Sequence, residues 1–578
     1  LSEWSWHAVF WVSVPVGVWG TCMGFRTLHD KPGARNKNVT IDWWGNLTFG
    51  RLGDQYGRAK LFNLGFLIFT LGSIGCALVP NGGSAGALEI IVMRIVQGVG
   101  GAMVMANSTA IITDAFPPER RGFALGVNQV SALAGSFLGL IIGGVLSEWH
   151  WRAVFWVSVP VGIWGTWMGY RTLHDKPRDR SRRVVVDWWG NLTFGIGLIA
   201  LLIAITYGLQ PYGGHTMGWT SPRVLTGMIA GVALLVSFVV IEKHVADPMI
   251  NMKLFKVRAF AAGQAVNLLA AMSRGGLQFM LIIWLQGIWL PLHGYDYSET
   301  PLWSAIYMVP LTVGFLGAAP VAGWLSDRFG ARMFATGGLV IVAVTFAALL
   351  ALPTDFTYWQ FAVILFVSGI GAGLFASPNM TGVMNSLPAD QRGAGSGMLS
   401  TLQNSGVALS IGVFFSTLIA GLATTMPAAL FSGLTQQNVP ATVASNVANL
   451  PPVGTLFAAF LGYNPMQKIL GPQVLAQLPP GNAATVVGKQ FFPQLVADSF
   501  HHGLVIVFCT AIAISLIGAI ASLFRGPRYV HDETHRHELD GGDVFQGDEK
   551  VGPVEFTTAP DPRFLAQVGE QRGGAARR

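Results

Sequence analysis

The chain has 578 residues, of which 52% are hydrophobic and only 11% charged, against about 25% charged in ordinary soluble domains. A mean hydropathy of +0.50 excludes the string of soluble domains that the length alone would allow. The net charge of +7 does not mark a nucleic-acid binder, because the basic residues sit in short loops between long apolar runs, as orientation in a bilayer requires.

Residues 1–50 repeat residues 146–195 without a gap, with 38 of the 50 positions identical by direct comparison. One duplication is too few for a solenoid, and conservative differences such as Val18 against Ile163 mark a diverged copy. No cleavable signal peptide is visible at its start. The copy ends where a charged, Gly-rich stretch begins, Gly50-Arg51-Leu52-Gly53-Asp54-Gln55-Tyr56-Gly57-Arg58-Ala59-Lys60. That stretch returns as Gly323-Trp324-Leu325-Ser326-Asp327-Arg328-Phe329-Gly330-Ala331-Arg332. One copy alone reads as a tight hydrophilic hairpin, in which Gly accepts the positive φ of a turn. Its Asp pairs with Arg or caps the following helix. Two copies, each ahead of an apolar span, predict two related halves.

Apolar runs long enough to cross about 30 Å of hydrocarbon occur at 4–25, 61–79, 87–113, 122–146, 153–170, 187–209, 224–242, 259–290, 302–322, 333–352, 359–384, 394–421 and 503–524. The expected class is an all-α polytopic membrane protein with about 13 spans and the lipid bilayer as its partner. Placing 51–60 in the cytoplasm puts eighteen Lys and Arg in inner loops, against Arg152 and Arg223 in the short outer ones. That bias orients the chain, with the tail after 524 in the cytoplasm. Residues 422–502 read as one long outer loop, in which 453–463 has the pattern of a short helix docked on the membrane face. Gly481 and Gly488 are too far apart for a phosphate loop, and Gln490 follows Lys489, so no ATPase is expected. Cys22, Cys76 and Cys509 lie in apolar spans without metal-ligand spacing, which predicts neither disulfide nor metal site. The tail 525–578 is polar and charged, with the composition of a disordered segment. Its His531, His535 and His537 read as solvated. With no nucleophile–base pair and no cofactor loop, the chain is not expected to be an enzyme or to hold a cofactor.

Polar side chains inside spans are costly and therefore candidate sites. Arg94 lies about two turns into its span, in Arg94-Ile95-Val96-Gln97-Gly98. Gln264, Asn267, Arg274 and Gln278 follow at offsets that place them near one helical face, which fits either a water-lined cavity wall or interhelical hydrogen bonding. Gly135, Gly139, Gly143 and Gly144 form a small-residue ridge suited to close helix packing or to a hinge. Asp114 with Arg120 and Arg121, and Pro388-Ala389-Asp390-Gln391-Arg392-Gly393, form matching turns in the two halves. Paired halves with matched loops suit alternating access about a central site.

These residues resemble the major facilitator superfamily, and within it the fourteen-span drug:proton antiporters of the multidrug efflux type. The family's loop signature matches 50–60, and its second-half echo 323–332. The fourth-span Arg motif matches Arg94, Gln97 and Gly98, and the fifth-span antiporter motif matches Gly135, Gly139, Gly143 and Gly144. The resemblance implies the major facilitator fold, with two six-helix bundles and two central extra spans. Residues 1–50 would then be a duplicate of the span-six region standing where the first two spans belong. Residues 51–183 would be the rest of the first bundle, 184–258 the extra spans, and 259–524 the second bundle. It further implies that Gly50, Asp54, Gly57, Arg58, Gly323, Asp327, Arg328, Gly330 and Arg332 latch the cytoplasmic side. Arg94 and Gln97 would serve proton coupling, with Gln264, Asn267, Arg274 and Gln278 lining the pathway. Two departures stand out: Leu140 replaces the antiporter motif's Pro, and the acid that family members often carry in span one has no counterpart. The implied function is proton-coupled efflux of amphipathic small molecules, cationic ones included, across a bacterial plasma (inner) membrane. A uniporter, a dedicated exporter of one metabolite or lipid, and a rearranged chain with impaired transport are the alternatives.

Overall fold

The computed structural model describes residues 45–79, 83–149, 152–173, 175, 188–208, 212–213, 217–245, 252–297, 299–450 and 465–526. The duplicated segment before residue 45, residues 453–463 and the histidine-bearing tail lie outside them.

The regular elements among the described residues are helices. α1 (Gly45–Tyr56), α2 (Arg58–Leu78), α3 (Gly83–Ala115), α4 (Arg121–Trp149), the short α5 (Ala153–Trp156) and α6 (Ser158–Thr172) come first. A hairpin of α7 (Trp188–Gly208) and α8 (Pro222–His244) follows. Next come α9 (Arg258–Trp284), α10 (Leu290–Leu292), α11 (Thr300–Tyr307), α12 (Val309–Phe329), α13 (Ala331–Leu350), α14 (Tyr358–Asn385) and α15 (Arg392–Gln436). Three short helices, α16 (Ala441–Ala448), α17 (Pro465–Gln477) and α18 (Pro480–Val487), precede α19 (Phe491–Leu523). Nine stretches of the described residues are long and apolar enough to cross a membrane.

Sequence punctuation explains the boundaries. Gly57 at φ 110° separates α1 from α2, and Gly330 at φ 87° separates α12 from α13, so both motifs turn on a residue that tolerates the left-handed region. Pro222 opens α8, where a missing N–H costs nothing. A π-helical stretch, Leu285–Trp289, carries α9 on to Leu292.

In the first half α2 packs between α3 and α6. Glycines permit this: a Cβ on Gly72 would lie 2.7 Å from the Gln97 nitrogen, and one on Gly162 only 2.0 Å from Thr70 Oγ1. In the second half α12, α14, α13, α19, α15 and α9 pack each against the next. The α7–α8 hairpin pairs mainly with itself and meets the second half at α15, where Ile205 faces Gly412. The halves meet through α1 on α15 and α4 on α12.

The outer region departs from the expected long loop. α15 continues to Gln436 and α19 starts at Phe491, so the segment between them is shorter than 422–502 and mostly helical where described. At 45 residues α15 is about 68 Å long and projects well past about 30 Å of hydrocarbon. Val439, Ala444, Val447, Met466, Leu470, Leu478 and Val486 share one buried cluster with Trp284, Trp289 and Phe356. This apolar cap covers the end of the second half, for which the transfer of apolar surface out of water is the driving force. Polar ties fix it: Gln490 donates to the Leu292 carbonyl at 2.9 Å, and the Tyr297 hydroxyl donates to the Lys489 carbonyl at 3.3 Å. Burial raises the Tyr297 phenol above its ordinary value.

Candidate functional site

At the motif end of the helices each half caps a helix of the other. Asp54 accepts from the backbone N–H groups of Gly393 and Ala394 at 2.8 Å each, at the start of α15. Asp327 accepts from those of Gly122 and Phe123 at 2.8 and 3.2 Å, at the start of α4. First-turn amides have no partner within their own helix, and the helix dipole adds attraction for a carboxylate. Burial pushes the Asp54 carboxyl upward, against Arg58 and the two amides, which pull it down.

The arginines that open the capped helices reach across as well. Arg392 donates to Asp114 at 3.0 Å, and Arg121 donates to the Asn385 side chain at 3.0 Å. Arg58 completes a cluster on the first side, bonded to Asp54 at 2.6 Å, to Asp114 and to the Ala389 carbonyl. Gly50 and Gly323 serve this interface by close approach rather than by turning. A Cβ on Gly50 would lie 2.1 Å from the Gly393 carbonyl oxygen, and one on Gly323 would lie 2.1 Å from that of Gly122. Asp175 adds a contact that the sequence reading missed: it accepts from Ala59 N at 2.8 Å and Lys60 N at 3.2 Å, capping α2.

Several predicted residues fall elsewhere. Arg328 is exposed and stacks on Trp324 of its own helix, 4.1 Å from the ring centre, and Arg332 is exposed. Neither reaches the interface, because residue 331, which aligns with Arg58, is Ala. Gly135 and Gly139 face open space, with no described atom within 4 Å of a built Cβ. The close crossing on α4 falls at Gly126, against Ala319 and Pro320 of α12. Arg94 is exposed, donates to Gln97 at 3.0 Å and lies 5.0 Å over the Phe155 ring. Gln97 in turn donates to Ser73 at 2.7 Å, so this pair ties α3 to α2 and does not join Arg274.

Between the halves lies a cavity of about 60 Å³, lined by Gln129 and Leu133 of α4, by Asn267, Arg274, Leu277 and Gln278 of α9, by α12, α13 and α14, and by Gln403 of α15. That is room for a few water molecules. Asn267 also donates to the Leu399 carbonyl at 2.9 Å, so the predicted polar stripe serves as cavity wall and interhelical tie together. Gln264 is buried and lines no part of the cavity. Gln129 and Gln403 were missed because each belongs to an adjacent polar pair, Asn128-Gln129 and Gln403-Asn404, and neighbours in sequence lie on different sides of a helix and make no stripe.

An all-helical membrane chain with two mutually capped halves around a central cavity has the architecture of a membrane transporter. Comparison with known proteins agrees. The Major Facilitator Superfamily model matches residues 38–263 and 181–411, and the chain belongs to that superfamily. It is 28% identical over 378 residues to the riboflavin transporter RibZ of Clostridioides difficile, covering 65% of this chain and 76% of that one. It is 25% identical over 369 residues to multidrug resistance protein 3 of Bacillus subtilis, covering 63% and 68%. It is 27% identical over 498 residues to the tetracenomycin C resistance and export protein of Streptomyces glaucescens, covering 83% and 81%.

Proposed function

We propose that the protein exports amphipathic small molecules from the bacterial cytoplasm by alternating access in the plasma membrane. The observation that carries this reading is the reciprocal capping: Asp54 on α15 and Asp327 on α4 close one end of a cavity to which both halves contribute. Such contacts break and reform as units, so the two halves rock between discrete arrangements. The words resistance and export in the names of two relatives support an efflux direction. The motif end faces the cytoplasm in this reading, on the strength of the basic inner loops. The drive is proton exchange, by resemblance to the drug:proton antiporters.

A uniporter or an exporter of one metabolite is the second reading. It is favoured by Leu140 in the antiporter motif and by the lining, which among the described residues contains no carboxylate. Reconstituted vesicles carrying a panel of unrelated fluorescent amphiphiles decide between them. Several dyes leaving against a gradient, and stopping when the pH gradient is collapsed, is the expected result. Export indifferent to that collapse removes the proton coupling, and movement of a single compound removes the multidrug reading.

A further inference from the structure

We infer that the central cavity receives the anionic group of its substrate, with Arg274 as the counter-ion; this rests on the transport reading above. Arg274 lies near the middle of the 35-residue stretch Arg258–Leu292, too deep for its head to snorkel to either surface. Among the described residues it has no hydrogen bond and no ion pair, yet it lines the cavity. A guanidinium at membrane depth is expensive unless something compensates it; no described side chain does so, and a group entering the cavity can. Gln129, Gln278 and Gln403 line the same space and also have no described hydrogen bond. Each can turn an amide N–H₂ toward an anion, beside the five N–H donors of the guanidinium.

The rest of the wall is mainly apolar and aromatic, with Leu311, Phe315, Val342 and Phe375 among its members, and its other polar groups are Asn267 and the hydroxyls of Ser273, Thr312 and Ser368. One fixed positive charge, neutral amides and an apolar wall complement an amphipathic anion. A cationic substrate would meet a like charge with no described carboxylate to offset it, and such a mismatch works as discrimination. The present 60 Å³ suits a carboxylate or sulfonate head, and an aromatic body follows when the halves part. This inference favours anionic over cationic amphiphiles among the substrates expected from the sequence.

The test uses a matched pair of probes, 8-anilinonaphthalene-1-sulfonate and N-phenyl-1-naphthylamine, which share one aromatic body and differ by the sulfonate. Both are titrated onto the purified full-length chain and followed for export from proteoliposomes. The sulfonate should bind at least about tenfold tighter than the neutral probe, as charge-assisted hydrogen bonds imply. Arg274→Gln should bring the two to parity, while Arg274→Lys keeps most of the preference. Equal binding by the unmodified protein overturns the inference, as does a preference that survives in a helical, monodisperse Arg274→Gln. Sulfonate binding that chloride displaces without any preference in export reduces the cavity to a site for small inorganic anions, which also overturns it. Export of both probes at equal rates leaves transport standing and removes the anion. Preferential binding without export of either removes the transport reading and leaves the site.

Discussion

Asp54 and Asp327 occupy equivalent places, yet the charges beside them differ. Ala331 stands where the first motif has Arg58, and Asn385 stands where the first half has Asp114. The first cap is therefore tied to a cluster of Arg58, Asp114 and Arg392, whereas Asp327 accepts from the amides of Gly122 and Phe123 in a motif that has Ala331 at the place of Arg58. Hydrogen bonds to charged groups are worth about 1.5–3 kcal/mol each. Asp54→Asn should then loosen the motif end more than Asp327→Asn does. The measurement is labelling by an impermeant maleimide, applied from the motif side, of a cysteine placed at Gln129 in a cysteine-free chain. Asp54→Asn should speed it by about tenfold or more, and an equal or larger effect of Asp327→Asn would show that Arg58 does not share the first cap.

Among elements, α4 separates two uses of glycine that look alike in sequence. Gly122 and Gly126 let α12 approach backbone to backbone, while Gly135 and Gly139 meet nothing in the described structure. Gly323→Ala, which presses on the Gly122 carbonyl, should lower thermal stability in detergent by about 1–3 kcal/mol, the usual cost of overpacking. Gly135→Ala should be neutral or up to about 1 kcal/mol stabilising, because Ala is the better helix former and has room. If Gly135→Ala proves as costly as Gly323→Ala, the face of α4 around residue 135 is covered after all.

At the scale of the whole molecule the two caps are expected to open together, since each fastens the same pair of halves. Hydrogen exchange in the full chain should rise at the amides of residues 392–396 and of residues 121–125 in parallel when a transported dye is added. The rise should be confined to one group only if the halves flex independently, and that outcome removes the rocking motion. The apolar cap on the second half should stay protected throughout, because its buried members all lie within that half.

Hydropathy, charge bias and the doubled Gly-x-x-x-Asp motif were enough to predict a helical membrane chain with two related halves and to place most spans within a few residues. They sufficed because a span must satisfy its backbone internally and expose apolar side chains, and both requirements are local. Which helix end each Asp would cap was not legible. Asp54 and Gly393 are 339 residues apart, and nothing in either motif names its partner. The same distance hid the different use of Arg328 and Arg332, the open face at Gly135 and the joining of Gln129 and Gln403 to Arg274. The outer segment was read as a loop because weak helical signals and a length of α15 beyond the bilayer become decisive only when burial against Trp289 and Phe356 rewards them. Composition and period decide whether a segment spans the membrane. Close approach between distant backbones, and the charge left unpaired among them, belong to the tertiary structure alone.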